Sequence, residues 1–402
     1  MDRRAFLKAA GITAALSGPA LARRLILLDS SASARITRIE WIVYETGLSA
    51  PGGDPTRRCA VRITTASGVQ GWADVPASAA PGGEAFELVR NVLLQHDAND
   101  LEAIWRELFE QGIPLKTLAA VDVALWDLRG RLANKPVHAL LGTRRQQAKA
   151  YLTTPFNLGS AEFYAERALA AKKAGLHGCK VRPYIEWGSG PSGRLNRGFP
   201  DRDMAAYQAV RDAVGADYPC MADNHGTYSY DEALRIGRLL DDLEYAWYES
   251  PMPESEDWRD RYAALVRQLK TPVCAPEAHP GSYAPRLAWI ESGACDISRI
   301  NVLDGGFTAC LELAVACEAA GVSLELHNTG ADAYPHLQLI GTTDESLIGH
   351  VELHSLARDT SPLPGRKTPE SVFDDDGLVA VPGTPGMGLE LDWTYILTHR
   401  VA

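Results

Sequence analysis

At 402 residues, with 46% hydrophobic and 23% charged residues, the chain has the length of two domains and the composition of a soluble globular protein. A formal charge of −11 argues against a nucleic-acid surface and leaves a small molecule as the expected partner. The seven cysteines form no CxxC and no Cys/His zinc spacing, and they read as small apolar core residues.

The first 22 residues stand apart. Asp2-Arg-Arg-Ala-Phe-Leu-Lys8 resembles the twin-arginine export motif, an apolar stretch follows from Ala9, and Ala20-Leu-Ala22 has the small-x-small form of a cleavage site. The apolar part is too short to span a membrane. Residues 1–22 are therefore expected to be a signal peptide that exports an already folded protein to the periplasm, with no membrane partner.

Residues 35–145 predict an α+β unit. Alternating runs at Ile36–Tyr44, Cys59–Thr65 and Val69–Asp74 predict strands, and helical patterns run from Glu84 to Leu141. From Ala148 the pattern turns to repeated strand–helix units. Strand candidates are Ala148–Thr153, Gly178–Arg182, Cys220–Asp223, Tyr245–Glu249, Val273–Glu277, Asp296–Val302, Val322–His327 and a short run near Val351. Such alternation predicts an α/β unit with a parallel sheet and crossover helices, and seven to eight repeats over residues 148–357 fit a closed (β/α) barrel better than an open sheet. The Pro/Gly-rich tail, residues 358–402, is expected to fold back onto the first unit.

Three of the barrel strands are predicted to end in an acid: Asp223, Glu249 and Glu277, spaced 26 and 28 residues apart. Successive strand ends of a (β/α) barrel converge on one mouth. Three carboxylates brought together repel one another unless a cation lies between them, and an all-oxygen set suits Mg2+.

Several stretches together resemble the enolase superfamily, in its mandelate racemase/muconate lactonizing branch. They are Ala119-Ala-Val-Asp-Val-Ala-Leu-Trp-Asp-Leu-Arg-Gly-Arg131, Asn134-Lys-Pro-Val-His-Ala-Leu-Leu-Gly142, the three carboxylates, Gly305-Gly-Phe-Thr308 and Leu324-Glu-Leu-His-Asn-Thr-Gly330. The resemblance implies a modified (β/α) TIM barrel under an N-terminal capping domain over residues 35–145, one Mg2+, and removal of a proton α to a carboxylate, whose dianionic intermediate needs metal charge and fixed donors.

The resemblance also assigns roles. Lys180 and Arg182 stand where the family has Lys-x-Lys: Lys180 would sit beside the substrate carboxylate, and Arg182, a poor base, would clamp a carboxylate or oxyanion. Asp223-Asn-His225 resembles the Asp-x-His of sugar-acid dehydratases, which makes His225 the acid for the departing hydroxyl; alternation along a strand would bring it to the same cavity as Asp223. His327 matches the family's base. The residue expected to pair with it is Asn301 rather than Asp, with Asp304 as a substitute partner. Glu352 matches the Glu that meets the substrate carboxylate, and Tyr184 and Asn301 complete the substrate-side candidates.

The expected function is an Mg2+-dependent acid-sugar dehydratase, acting on a small carboxylate substrate and assembled as a homo-oligomer. A racemase or epimerase on the same fold needs bases on both substrate faces. A metal-retaining, non-catalytic periplasmic binder is the alternative of a different class, kept open by Asn301. Specificity would come from cap loops near Thr46–Pro55 and Ala77–Glu84. The insertion at 185–197, with Arg194 and Arg197, reads either as a further wall for an anionic substrate or as a solvated loop.

Overall fold

The cap opens on an antiparallel meander of β1 (Ile36–Ser49), β2 (Pro55–Thr65) and β3 (Gln70–Pro76). A register shift between Ile36 and Arg38 turns both Ile36 and Ile39 toward the core, alongside Cys59, Val61 and Ile63 of β2. The chain is seen here as a computed structural model that describes residues 34–49, 55–188, 196–278, 281–327, 333–369 and 372–401. The expected signal peptide and Arg194 lie outside the described residues. So do residues 50–54 of the first cap loop, whose start, Thr46–Ser49, continues β1.

Helix Leu115–Leu132, which carries the Asp-Val-Ala-Leu-Trp-Asp motif, is buried without a break from Thr117 to Gly130. A helix apolar all round must be enclosed. This one lies between the cap sheet and barrel helix Gly306–Ala320, and its few polar groups are the ties. Asp122 accepts hydrogen bonds from the Thr308 amide (2.8 Å) and hydroxyl (2.5 Å), while Trp126 Nε1 donates to Thr308 Oγ1 (2.9 Å). Asp127 accepts from the amides of Trp72 (3.0 Å) and Met387 (2.8 Å) and pairs with Arg131 (2.6 Å). Gly306 faces Asp122 at φ +95°, where an added Cβ would overlap the carboxylate, so glycine is required there.

The barrel follows. Strands β4 (Gln147–Thr153) and β5 (Cys179–Val181) are separated from the rest by a short hairpin, β6 (Ile185–Trp187) and β7 (Asn196–Gly198). Then come β8 (Cys220–Asp223), β9 (Trp247–Glu249), β10 (Val273–Cys274), β11 (Ile297–Ile300), β12 (Ser323–Leu326) and β13 (His350–Leu353). Hydrogen-bonded order is β12-β11-β10-β9-β8-β5-β4-β13, all parallel, and the Leu324 amide reaches the Leu347 carbonyl (2.7 Å) where β12 and β13 meet. Several strands are shorter than the sequence predicts. β10 stops at Cys274, before Pro276, which has no N–H to give a ladder. β11 stops at Ile300 because Asn301 caps a 3-10 turn, Val302–Asp304, its Oδ1 accepting from the Leu303 amide (2.8 Å).

The tail packs on both the barrel and the cap. β14 (Leu378–Ala380) pairs antiparallel with β4, Trp72 Nε1 donates to the Leu389 carbonyl (2.7 Å), and Arg366 pairs with Asp74 (2.6 Å). Among the described residues, no helix is long and apolar enough to cross a membrane.

Candidate metal centre and active site

The barrel interior is built in two layers. Tyr151, Met221, Trp247, Cys274 and Ile297 form an apolar plug. Two residues further along their strands, on the same faces, stand Thr153, Asp223, Glu249 and Arg299. Beside them come Lys180 from β5 and Glu352 from β13, so a charged ring lies on an apolar floor.

Lys180 Nζ is 2.8 Å from both Glu249 Oε1 and Glu352 Oε1 and 3.9 Å from Asp223 Oδ2. Arg299 Nε is 3.1 Å from Glu249 Oε1 and 3.7 Å from Glu277 Oε2, and its Nη2 is 2.6 Å from Glu352 Oε2. Thr153 Oγ1 also donates to Glu352 (2.6 Å). Burial opposes ionisation of Glu352, but Lys180 and Arg299 outweigh it and hold that carboxyl well below the usual range. Glu249 is held down by Arg299 and Lys180 in the same way, against its own burial.

Asp223 and Glu277 behave oppositely. Burial, then the Glu249 charge, raises Asp223; burial raises Glu277 well above its ordinary value despite Arg299. Four carboxylates stand against two buried cations, which leaves two negative charges unmatched. Oxygens of Asp223, Glu249 and Glu277 lie within 4.8 Å of one another. This all-oxygen set and its charge deficit both fit one hard divalent cation.

The structure brings some further candidates to this ring and not others. His327 Nδ1 is 3.2 Å from Glu277 Oε1 and 3.4 Å from Asn301 Nδ2. Burial, then the Arg299 charge, pushes the His327 imidazole down to about 3, which leaves it neutral at pH 7. Asp304, the expected substitute partner, is committed elsewhere: it pairs with Arg286 (3.0 Å) and accepts from the Asn301 amide (3.2 Å).

His225 reaches the mouth by a different route from strand alternation. β8 ends at Asp223, and His225 sits in a turn at φ +51°, its amide donating to Asp223 Oδ1 (3.0 Å). The turn is braced through Asn224, which donates to Asp203 (3.0 Å) and accepts from Tyr207 (3.1 Å). The His225 ring meets Phe156 (5.6 Å) and Trp187 (5.2 Å) edge-on. Trp187, on the β6–β7 hairpin, is 55% exposed. Arg182 lies over Phe156 (4.7 Å), with Nε donating to the Thr154 carbonyl (3.0 Å).

Tyr184 is turned away from the carboxylates. Its ring packs on Tyr164 (5.5 Å) beneath the Arg202 guanidinium (3.7 Å), among helices Ala161–Lys173 and Pro200–Val214. Proline at 183 interrupts the strand face that would have carried it inward. Arg299 is the residue that the sequence reading missed. Counting two back from Asn301 along one strand face would have found it.

Residues 164–395 match the family described as enolase C-terminal domain-like, and residues 53–142 match the mandelate racemase/muconate lactonizing enzyme N-terminal domain. D-galactarolactone cycloisomerase of Agrobacterium fabrum is 27% identical over 359 residues, spanning 85% of this chain and 90% of that protein. Arabinonate dehydratase of Saccharolobus solfataricus is 26% identical over 353 residues, spanning 83% and 88%. The crystal structure of D-glucarate dehydratase from Agrobacterium tumefaciens, complexed with magnesium, superposes with a TM-score of 0.81 at 30% identity, covering 92% of this chain and 100% of that one.

Proposed function

The chain belongs to the mandelate racemase/muconate lactonizing branch of the enolase superfamily, and from that premise we propose that it is an Mg2+-dependent dehydratase of acid sugars. The observation that carries this reading is the carboxylate ring, short of two positive charges, with a neutral histidine at its edge. The relatives named as arabinonate and D-glucarate dehydratases support the substrate class.

Asp223, Glu249 and Glu277 would hold the metal, which when bound supplies positive charge to the substrate's carboxylate oxygens. Lys180 and Arg299 keep Glu249 and Glu352 ionised and fixed. His327, neutral and with Nδ1 facing Glu277 and Asn301, takes the α-proton through Nε2. His225 gives a proton to the β-hydroxyl as it leaves, and Arg182 holds a substrate oxyanion. Loss of water leaves an enol that tautomerises to a 2-keto-3-deoxy acid.

A racemase needs a second base across the substrate from His327. Arg182 stands where that base would be, anchored to Thr154 and stacked on Phe156, an arrangement suited to clamping an anion. The test is to incubate the protein with Mg2+ and a panel of acid sugars and follow 2-keto acid formation. Metal-dependent 2-keto product that disappears on chelation is the expected result. Epimer without keto product would favour the racemase. Binding without any α-proton exchange would favour a non-catalytic binder. We also propose, from Arg3 and Arg4, that the protein works in the periplasm.

A further inference from the structure

Glu277 is held differently from the other two metal carboxylates. Asp223 and Glu249 close β8 and β9 and face each other in the ladder. β10 ends at Cys274, so Glu277 lies three residues beyond any strand that could fix it.

A buried carboxylate and a buried guanidinium take the place of the ladder. Glu254, 7% exposed, accepts from the amides of Glu277 (2.8 Å) and Ala278 (2.5 Å) through Oε2 and from the Ser250 hydroxyl (2.8 Å) through Oε1. Arg286, fully buried, donates through Nη2 to the Glu277 carbonyl (3.0 Å) and Asp304 (3.0 Å), and through Nη1 to the carbonyls of Gly281 (2.9 Å) and Ser282 (2.8 Å). Its Nε donates to the carbonyl of Arg299 (2.6 Å), whose side chain stands over Glu277. The peptide groups on both sides of Glu277 are therefore gripped, the amide by Glu254 and the carbonyl by Arg286.

We infer that Glu254, with Arg286 opposite it, is a positioning residue that sets divalent-cation affinity by fixing Glu277. The inference rests on the reading that Asp223, Glu249 and Glu277 hold the cation. Groups that orient metal ligands typically change affinity by roughly 10- to 100-fold when altered.

Titration calorimetry of the full chain with Mg2+ tests it. Glu254→Gln keeps the shape but gives the two amides a neutral acceptor, and it is expected to weaken Mg2+ binding by at least about tenfold. Glu254→Asp keeps the charge and shortens the reach, and it is expected to weaken binding less. Far-UV circular dichroism of the metal-free proteins checks folding. If both variants fold and bind Mg2+ like the parent while Glu277→Gln does not bind it, the bracket is wrong and the metal site stands. If the parent itself binds no Mg2+, the metal reading fails and this inference with it.

Discussion

A buried ammonium such as that of Lys180, 1% exposed, is tolerable because Glu249 and Glu352 each stand 2.8 Å away. The dependence is mutual, since without Lys180 both carboxylates lose the ammonium that stands 2.8 Å from each. Breaking a buried pair by removing one partner costs about 3–5 kcal/mol. Lys180→Met is therefore expected to lose stability on that scale in urea unfolding without added metal, and parental stability would count against the ring described here. On the proposed mechanism the two histidines divide along the reaction. His327→Asn should reduce both turnover and α-deuterium exchange in heavy water by a factor of roughly 100 to 10,000. His225→Asn should stop dehydration while exchange continues, because its proton goes to the leaving group and not to the α-carbon. Exchange that survives in the His327 variant would place the base elsewhere, with Lys180 the next group to examine.

At the scale of elements, helix Leu115–Leu132 joins cap to barrel through Asp122, whose carboxyl is pushed up to about 7 by burial, partly offset by its bonds from Thr308. An unfolded Asp titrates near about 3.9. Between these values the native state binds the extra proton, so the contribution of Asp122 to stability is full at low pH and falls as pH rises toward 7, by at most roughly 1.4 kcal/mol per pH unit. Asp122→Asn should remove this slope, so the melting temperature between pH 5 and pH 7 should depend less on pH than in the parent. The motif that carries Asp122 was legible in the sequence, as were the strands ending in Asp223 and Glu249, because period and spacing are local properties. Glu277 was legible as a residue but not in how it is held, since Pro276 ends the ladder and the bonds that replace it come from Glu254 and Arg286. His225 was assigned to the mouth by alternation, yet a left-handed turn takes it there. Tyr184 was assigned to the substrate and packs on Tyr164 instead. Arg299 escaped because a charge inside an apolar strand makes sense only once the opposite wall of the barrel is known.

At the scale of the whole molecule, the two ends of the described chain close on each other. The Glu45 amide bonds the His399 carbonyl (3.0 Å), the Val401 amide bonds the Val43 carbonyl (2.8 Å), and Trp72 reaches Leu389 across 317 residues. The cap is finished only when residues 389–401 have been made, and contacts of such long range form slowly. The carboxylates proposed to hold the metal come from two strand ends and the segment beyond a third, so the centre also requires a folded barrel. A protein of this kind is poorly suited to export as an unfolded thread, whereas the twin-arginine route carries folded cargo. Arg3 and Arg4, ahead of a short apolar run, are the residues that would commit the chain to that route. Replacing both, Arg3→Lys with Arg4→Lys, keeps the charge and the apolar run and alters only the paired guanidinium groups. The variant is expected to accumulate in the cytoplasm, full length and folded, with the metal response of the parent. Cell fractionation followed by immunoblotting reads the outcome directly. Periplasmic protein at parental levels in the double variant would show that the arginine pair does not direct this chain.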